Sequence, residues 1–185
     1  MANAEWFDTF IEEHLPALLR TAVHLCDGRR SDAEDLVQDT VLRALRGQDQ
    51  LRQRELARPW LFRILTTTHL NRLRSRRRRA ESFATDLDDE AFEEALGNWH
   101  PLSDPEVAAL SRVDHTFLAA AIAALPPNYR TVLLLADAEG FTQRQVASIL
   151  GVSEGTVASR LYRARAAMRS RLQPLMDERQ SREAV

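Results

Sequence analysis

The sequence predicts an all-α protein: two small helical domains joined by an acidic linker, the second containing a helix-turn-helix. Three observations carry that expectation. Apolar residues recur at three- and four-residue spacing almost everywhere, glycine is scarce at six in 185 residues, and strand-like alternation is hard to find. Charge falls in blocks: Met1 to Arg79 holds 15 arginines against 11 carboxylates, Ala80 to Asp114 one against ten, and His115 to Val185 nine against six. Capping signals then divide the apolar runs into helices of ordinary length.

The first amphipathic segment runs from about Glu5 to Cys26, with Phe10, Leu15, Leu18, Leu19, Ala22 and Val23 as its apolar side. Pro16 inside it predicts a kink or a break into two helices. Residues 27–30 read as a loop. Ser31, followed three residues later by Glu34, has the spacing of a capping box, in which hydroxyl and carboxylate satisfy each other's exposed amides. The helix it opens turns Ala33, Leu36, Val37, Thr40, Val41, Ala44 and Leu45 inward, and Asp32, Glu34, Asp35, Gln38 and Asp39 outward. Residues 48–55 are polar and loop-like. Pro59 suits the first turn of a third helix, with Trp60, Leu61, Ile64, Leu65 and Leu73 apolar, continuing to Arg79. Its last nine residues, 71–79, hold six arginines.

The charge inverts over residues 80–100, which read as an exposed linker rich in aspartate and glutamate. Ser103-Asp104-Pro105-Glu106 has capping-box spacing and starts a helix striped by Val107, Leu110, Val113, Phe117, Ala120, Ala121 and Ala124. Leu125-Pro126-Pro127 ends that helix and begins the next, with Val132, Leu133, Leu135 and Ala136 apolar ahead of Gly140. Thr142 and Gln145 form another capping-box pair. Val146, Ala147, Ile149 and Leu150 give the short helix its buried side, Gly151 supplies the tight corner, and Ser153 caps the last helix. That helix, Glu154 to about Leu172, buries Val157, Leu161, Ala164 and Met168, and Pro174 is expected to close it. The expected domains are therefore residues 1–79 and 103–173, with a linker at 80–102 and a tail at 174–185.

These patterns favour binding over catalysis. A short helix, a glycine-containing turn and a capped second helix can set one helix face into a major groove roughly 12 Å wide. Arg160 and Arg163, three apart, share that face with Thr156 and Ser159 at its border. The arginine run at 72–79 repels itself, and a polyanion relieves that strain. Trp60 and Phe62 read as core rather than base platforms, and His69 as a half-exposed structural residue. Cys26 is the only cysteine, which excludes an intrachain disulfide and a multi-cysteine zinc cluster. Lysine is absent, so lysine-dependent chemistry is excluded. The five histidines are scattered, and there is no phosphate loop or nucleophile elbow. No cofactor or metal is expected. A magnesium enzyme using Asp35 and Asp39 and a freestanding helix-turn-helix regulator stand as the alternatives. With no apolar run of membrane-spanning length and no signal-like start, the expected place is the cytoplasm, without membrane insertion.

Several stretches together resemble a bacterial RNA polymerase sigma factor of the small, two-domain, extracytoplasmic-function type. They are DAEDLVQDTVLRAL from Asp32 to Leu45, PWLFRI from Pro59 leading into the arginine run, LPPNYRTVLLL from Leu125, and GTVASRLYRAR from Gly155 to Arg165. The resemblance implies a non-enzymatic initiation factor with core RNA polymerase and promoter DNA as partners, and raises an anti-sigma protein as a further one. It implies core-polymerase contact at Asp35, Leu36, Gln38, Asp39 and Arg43. Reading of the minus-ten element and its melted strand falls on Arg63, Thr67, Asn71, Arg72, Arg74 and Arg76. Reading of the minus-thirty-five element falls on Glu154, Thr156, Ser159, Arg160 and Arg163. Val41, Leu45, Thr67, Asn71 and Gln145 depart from the residues that relatives commonly carry.

Overall fold

The computed structural model describes residues 2–51, 53–80 and 114–183; the helix ends at 2–4, 77–80, 114–116 and 174–183 are described as backbone only. All regular structure among them is helical. The elements are α1 (Ala2–Leu25), α2 (Arg30–Gly47), two 3₁₀ turns at Gln48–Gln50 and Arg54–Leu56, and α3 (Ala57–Ala80). Beyond the linker come α4 (Asp114–Ala123), α5 (Pro127–Leu133), a π turn at Leu134–Ala138, α6 (Gln143–Leu150) and α7 (Glu154–Glu183). The capping box expected at 103–106 and the first half of its helix lie outside the described residues.

Helix α1 runs through Pro16 as one helix, so the break into two does not occur. Proline removes one backbone hydrogen bond, at a cost of about 3 kcal/mol. Phe7, Phe10 and Ile11 before it and Leu18, Ala22 and Leu25 after it are all buried. Each such side chain recovers about 1.5–3 kcal/mol on burial (less for alanine), so tertiary packing outweighs the local breaker. A left-handed pair, Asp27 and Gly28, closes α1, and the Gly28 amide donates to the Val23 carbonyl. This turn moves the start of α2 to Arg30, with Arg29 as N-cap and no side-chain cap. The capping box expected at Ser31 and Glu34 does not form. Glu34 accepts from Arg30 at 2.8 Å instead.

Helices α1, α2 and α3 pack as one unit, and α4 to α7 as another. In the second unit Ala121, Ile122 and Leu125 are buried, whereas Ala120 and Ala124, expected on the stripe, are exposed. Pro127 stands at the start of α5 as its neighbours predict. The Thr142 and Gln145 box forms in both directions. Gly151 takes φ +69, a left-handed corner that side-chain-bearing residues adopt only under strain. Helix α7 buries its predicted residues but runs through Pro174 to Glu183, so the proline does not close it.

The two units share a seam. Helix α3 packs on α6, and α1 on α4 and α5. Phe62 meets Phe141 edge-on at 5.1 Å. The π turn carries Glu139 into this seam, where its carboxylate accepts from Arg20 at 3.0 Å, Thr21 at 2.9 Å and Arg58 at 3.1 Å. Arg130 enters from α5 to the end of α1. Nearby, burial first and the Arg130 guanidinium second hold His69 down to about 4, and the same two causes lower His24. The fold therefore favours neutral imidazoles. Stability is full above the ordinary histidine value of 6.5. It falls as the unfolded chain takes up protons that the fold refuses, and the loss levels off below about 4. His69 alone should withdraw about 3 kcal/mol over that window. Urea unfolding at pH 7, 5.5 and 4 measures it; an H69Q variant with the same pH slope as wild type would remove His69 as the cause.

Candidate polymerase and nucleic-acid interfaces

Helix α2 spends its inward side on Ala33, Leu36, Val37, Thr40 and Ala44, leaving Asp35, Gln38, Asp39 and Arg43 on the outer side. Leu36 needs correction as a contact residue. It is fully buried, and its spacing from Ala33 and Thr40 places it in the core. Leu42, not singled out from sequence, is 50% exposed, three residues beyond Asp39 and seven beyond Asp35 on the same face. Leu45, expected inside, is also exposed. The face thus combines carboxylates with uncovered leucine.

On α3, Arg63, Thr67, Asn71 and Arg74 are exposed and spaced by four, four and three residues, which makes one stripe. Arg72 and Arg76 do not join it. They turn toward α2, where Arg72 pairs with Asp39 and Arg76 lies 3.3 Å from Asp32. Phe62 is fully buried and cannot serve as a base platform. Trp60 is half-buried against Phe7 and borders, with Arg63, Leu56 and Ser148, a groove of about 420 Å³. His69 is buried rather than half-exposed.

The helix-turn-helix is α6, Gly151 and α7. Ser153 accepts from the Thr156 amide at 3.0 Å, and its hydroxyl lies 2.8 Å from that of Thr156, so Thr156 is engaged in the cap. Glu154 and Ser159 are exposed, and Arg160 and Arg163 are half-buried. The buried Nε of Arg160 has no partner among the described residues. Arg163 reaches the Tyr129 hydroxyl at 3.5 Å. Arg165 instead makes a two-pronged pair with Asp137 at 3.0 and 2.6 Å. Tyr162, also missed from sequence, is 76% exposed three residues after Ser159. An uncovered aromatic ring on an arginine-rich helix is the signal that could have found it.

Among the described residues no three histidine, cysteine, aspartate or glutamate side chains gather as a metal site, and no helix is long and apolar enough to cross a membrane. Comparison with known proteins matches the sigma-70 region 2 family over residues 10–79 and the sigma-70 region 4 family over 118–168. The ECF RNA polymerase sigma factor SigE of Mycolicibacterium smegmatis is 34% identical over 175 residues, 92% of this chain and 63% of that protein. This chain belongs to the ECF sigma factors of the sigma-70 family. A second ECF sigma factor, sigma-E of Salmonella typhimurium, is 33% identical over 145 residues, covering 78% of this chain and 76% of its own. The sigma factor RpoE of Bartonella quintana, solved with the anti-sigma factor NepR, superposes with a TM-score of 0.70 at 28% identity, covering 90% of this chain and 96% of that one. Sigma factors of this family are regulators that bring RNA polymerase to promoters. With the family shown, the freestanding-regulator reading falls away.

Proposed function

We propose that this sigma factor docks on core RNA polymerase through Asp35, Gln38, Asp39, Leu42 and Arg43 of α2. The stripe Arg63, Thr67, Asn71 and Arg74 of α3 holds the melted strand of the minus-ten element. Helix α7 reads the minus-thirty-five element through Glu154, Ser159, Arg160 and Arg163, with Thr156 shaping the helix start and Tyr162 added to the face. Residues 1–79 and 103–173 act as the two reading domains, with 80–102 as their acidic connector. The chain works by binding alone, in the cytoplasm where the polymerase is, and an anti-sigma protein is its expected further partner, as NepR is for the Bartonella relative.

One observation carries this reading: the chain presents two kinds of face, an acidic stripe with bare leucine on α2 and solvent-reaching, arginine-bearing stripes on α3 and α7. Run-off transcription with reconstituted core enzyme tests it. A discrete product that requires the chain and one promoter is expected; a chain that forms no complex with core enzyme refutes the reading.

Two substitutions separate the faces. L42D replaces a leucine that is already half covered, so docking can bury only about half of the ~1.5–3 kcal/mol of a whole side chain and should weaken about four- to twelvefold. Size-exclusion of the complex reads this, and undiminished docking would move the contact off α2. R160A should lose about 1–3 kcal/mol of discrimination at the upstream element while docking persists. Equal losses on all sequences, measured by competition with scrambled DNA, would make Arg160 a phosphate contact instead.

A further inference from the structure

Arg72 stands where two of these faces meet. It belongs by sequence to the strand-holding helix α3, yet its Nη2 donates to the Asp39 carboxylate and, at 3.0 Å, to the Asp35 carbonyl, with Nη1 at 3.5 Å from the Asp32 carbonyl. One turn on, Arg76 reaches the Asp32 carboxylate at 3.3 Å. Both arginines line an open groove of about 390 Å³ between α2 and α3, with Asp35, Asp39, Arg43 and Asn71 around it. Asp39 and Arg72 are each only partly buried, so their ion pair can exchange partners at small cost. A guanidinium laid on Asp39 cannot also clamp a phosphate on the Arg63–Arg74 stripe.

We propose that the Asp39–Arg72 pair couples polymerase docking to strand capture. A cationic group of the polymerase that takes Asp39 releases Arg72, which swings out beside Asn71 and adds one phosphate contact to the stripe. In the free chain Asp39 masks Arg72 and strand affinity stays low. The coupling is reciprocal, so a bound strand that draws Arg72 away leaves Asp39 bare for its basic partner and tightens docking by the same factor. This rests on the assignment of Asp39 to the docking face and of α3 to the strand.

The test is a mutant cycle on the full chain, read by fluorescence anisotropy of a labelled fifteen-nucleotide oligothymidine at low salt, with core-enzyme binding of the wild type measured first. D39N is expected to bind the oligonucleotide about fivefold more tightly than wild type. The slope of log affinity against log salt should steepen by about 0.7, the value of one added single-strand phosphate. R72A should change wild-type affinity little and erase the D39N gain in the double variant. E34Q removes the same charge from the exposed partner of Arg30 and should give no such gain. With core enzyme bound, R72A should weaken strand binding in the wild-type background too. Equal effects of R72A in the free wild-type and D39N chains, or a gain from E34Q matching that from D39N, overturn the coupling. A wild-type chain that fails to bind core enzyme overturns the docking assignment instead.

Discussion

Removing both arginines that hold Glu139, as R20A/R58A, is expected to lower the unfolding free energy by about 3–5 kcal/mol, more than removing Glu139 itself. The asymmetry follows from burial. The Glu139 side chain is 1% exposed, whereas Arg20 and Arg58 are 55% and 36% exposed. Delete the carboxylate and two half-solvated guanidinium groups turn to water; delete the arginines and a buried charge keeps only the Thr21 hydroxyl. Arg58 carries a second load, lying 4.3 Å over the Phe141 ring and 5.4 Å from Phe62, which ties it to the aromatic contact across the seam. It also donates to the Glu139 carbonyl at 2.7 Å. Urea unfolding of R20A/R58A, E139A and the triple variant reads the prediction. The triple variant should be more stable than the double, because it removes the orphaned charge. Equal stability of the double variant and E139A would show that water reaches Glu139 and that the seam is looser than its hydrogen bonds describe.

The seam also marks the limit of what the residues reveal on their own. Helix positions follow from spacing of three and four, and the turn at Gly151 follows from local chemistry: a threonine box before α6, a left-handed glycine after it and a serine cap on α7. Those interactions lie within a few residues of one another. Glu139 finds Thr21 across 118 positions and Arg130 finds Asp27 across 103, and no periodicity encodes such a pairing. Pro16 misleads for a related reason, since the local breaking rule takes no account of what α1 buries on either side of it, and Pro174 misleads in that α7 continues through it. Ser31 misleads because the left-handed Asp27–Gly28 turn, not the hydroxyl, sets where α2 begins. The candidate site shows both cases. Leu36 and Leu42 are separable by spacing alone, as one shares its face with Ala33 and Thr40 and the other with Asp35 and Asp39. That Arg72 and Arg76 face α2 depends on how α3 is rotated against α2, which only the packing fixes.

Arg130 should carry a comparable load by itself: R130M is expected to cost about 3–5 kcal/mol, and R130K to recover part of it. The guanidinium is almost fully buried and serves two helix ends at once. It donates to the carbonyls of His24 at 3.3 Å and Leu25 at 3.5 Å, at the end of α1. It also reaches the Ala123 carbonyl and, at 3.0 Å, that of Leu125, where α4 stops. The last carbonyls of a helix have no intrahelical partner, and a cation there opposes the negative end of the dipole. Methionine fills much of the same volume but donates nothing, so several buried acceptors lose their donor at about 1–3 kcal/mol for each one that water cannot reach. Asp27 is half-exposed and contributes less to the loss, because its freed carboxylate is hydrated. Lysine restores the charge without the planar fork that spans both helix ends. A second readout separates this capping role from general damage. Arg130 is one of the causes that hold the His69 imidazole down, so R130M should raise the His69 titration midpoint seen by NMR while the α1 and α4 ends lose amide protection. A stability loss with the His69 midpoint unmoved would place Arg130 farther from the imidazole than the folded arrangement has it, and would break the link between the seam and its acid sensitivity.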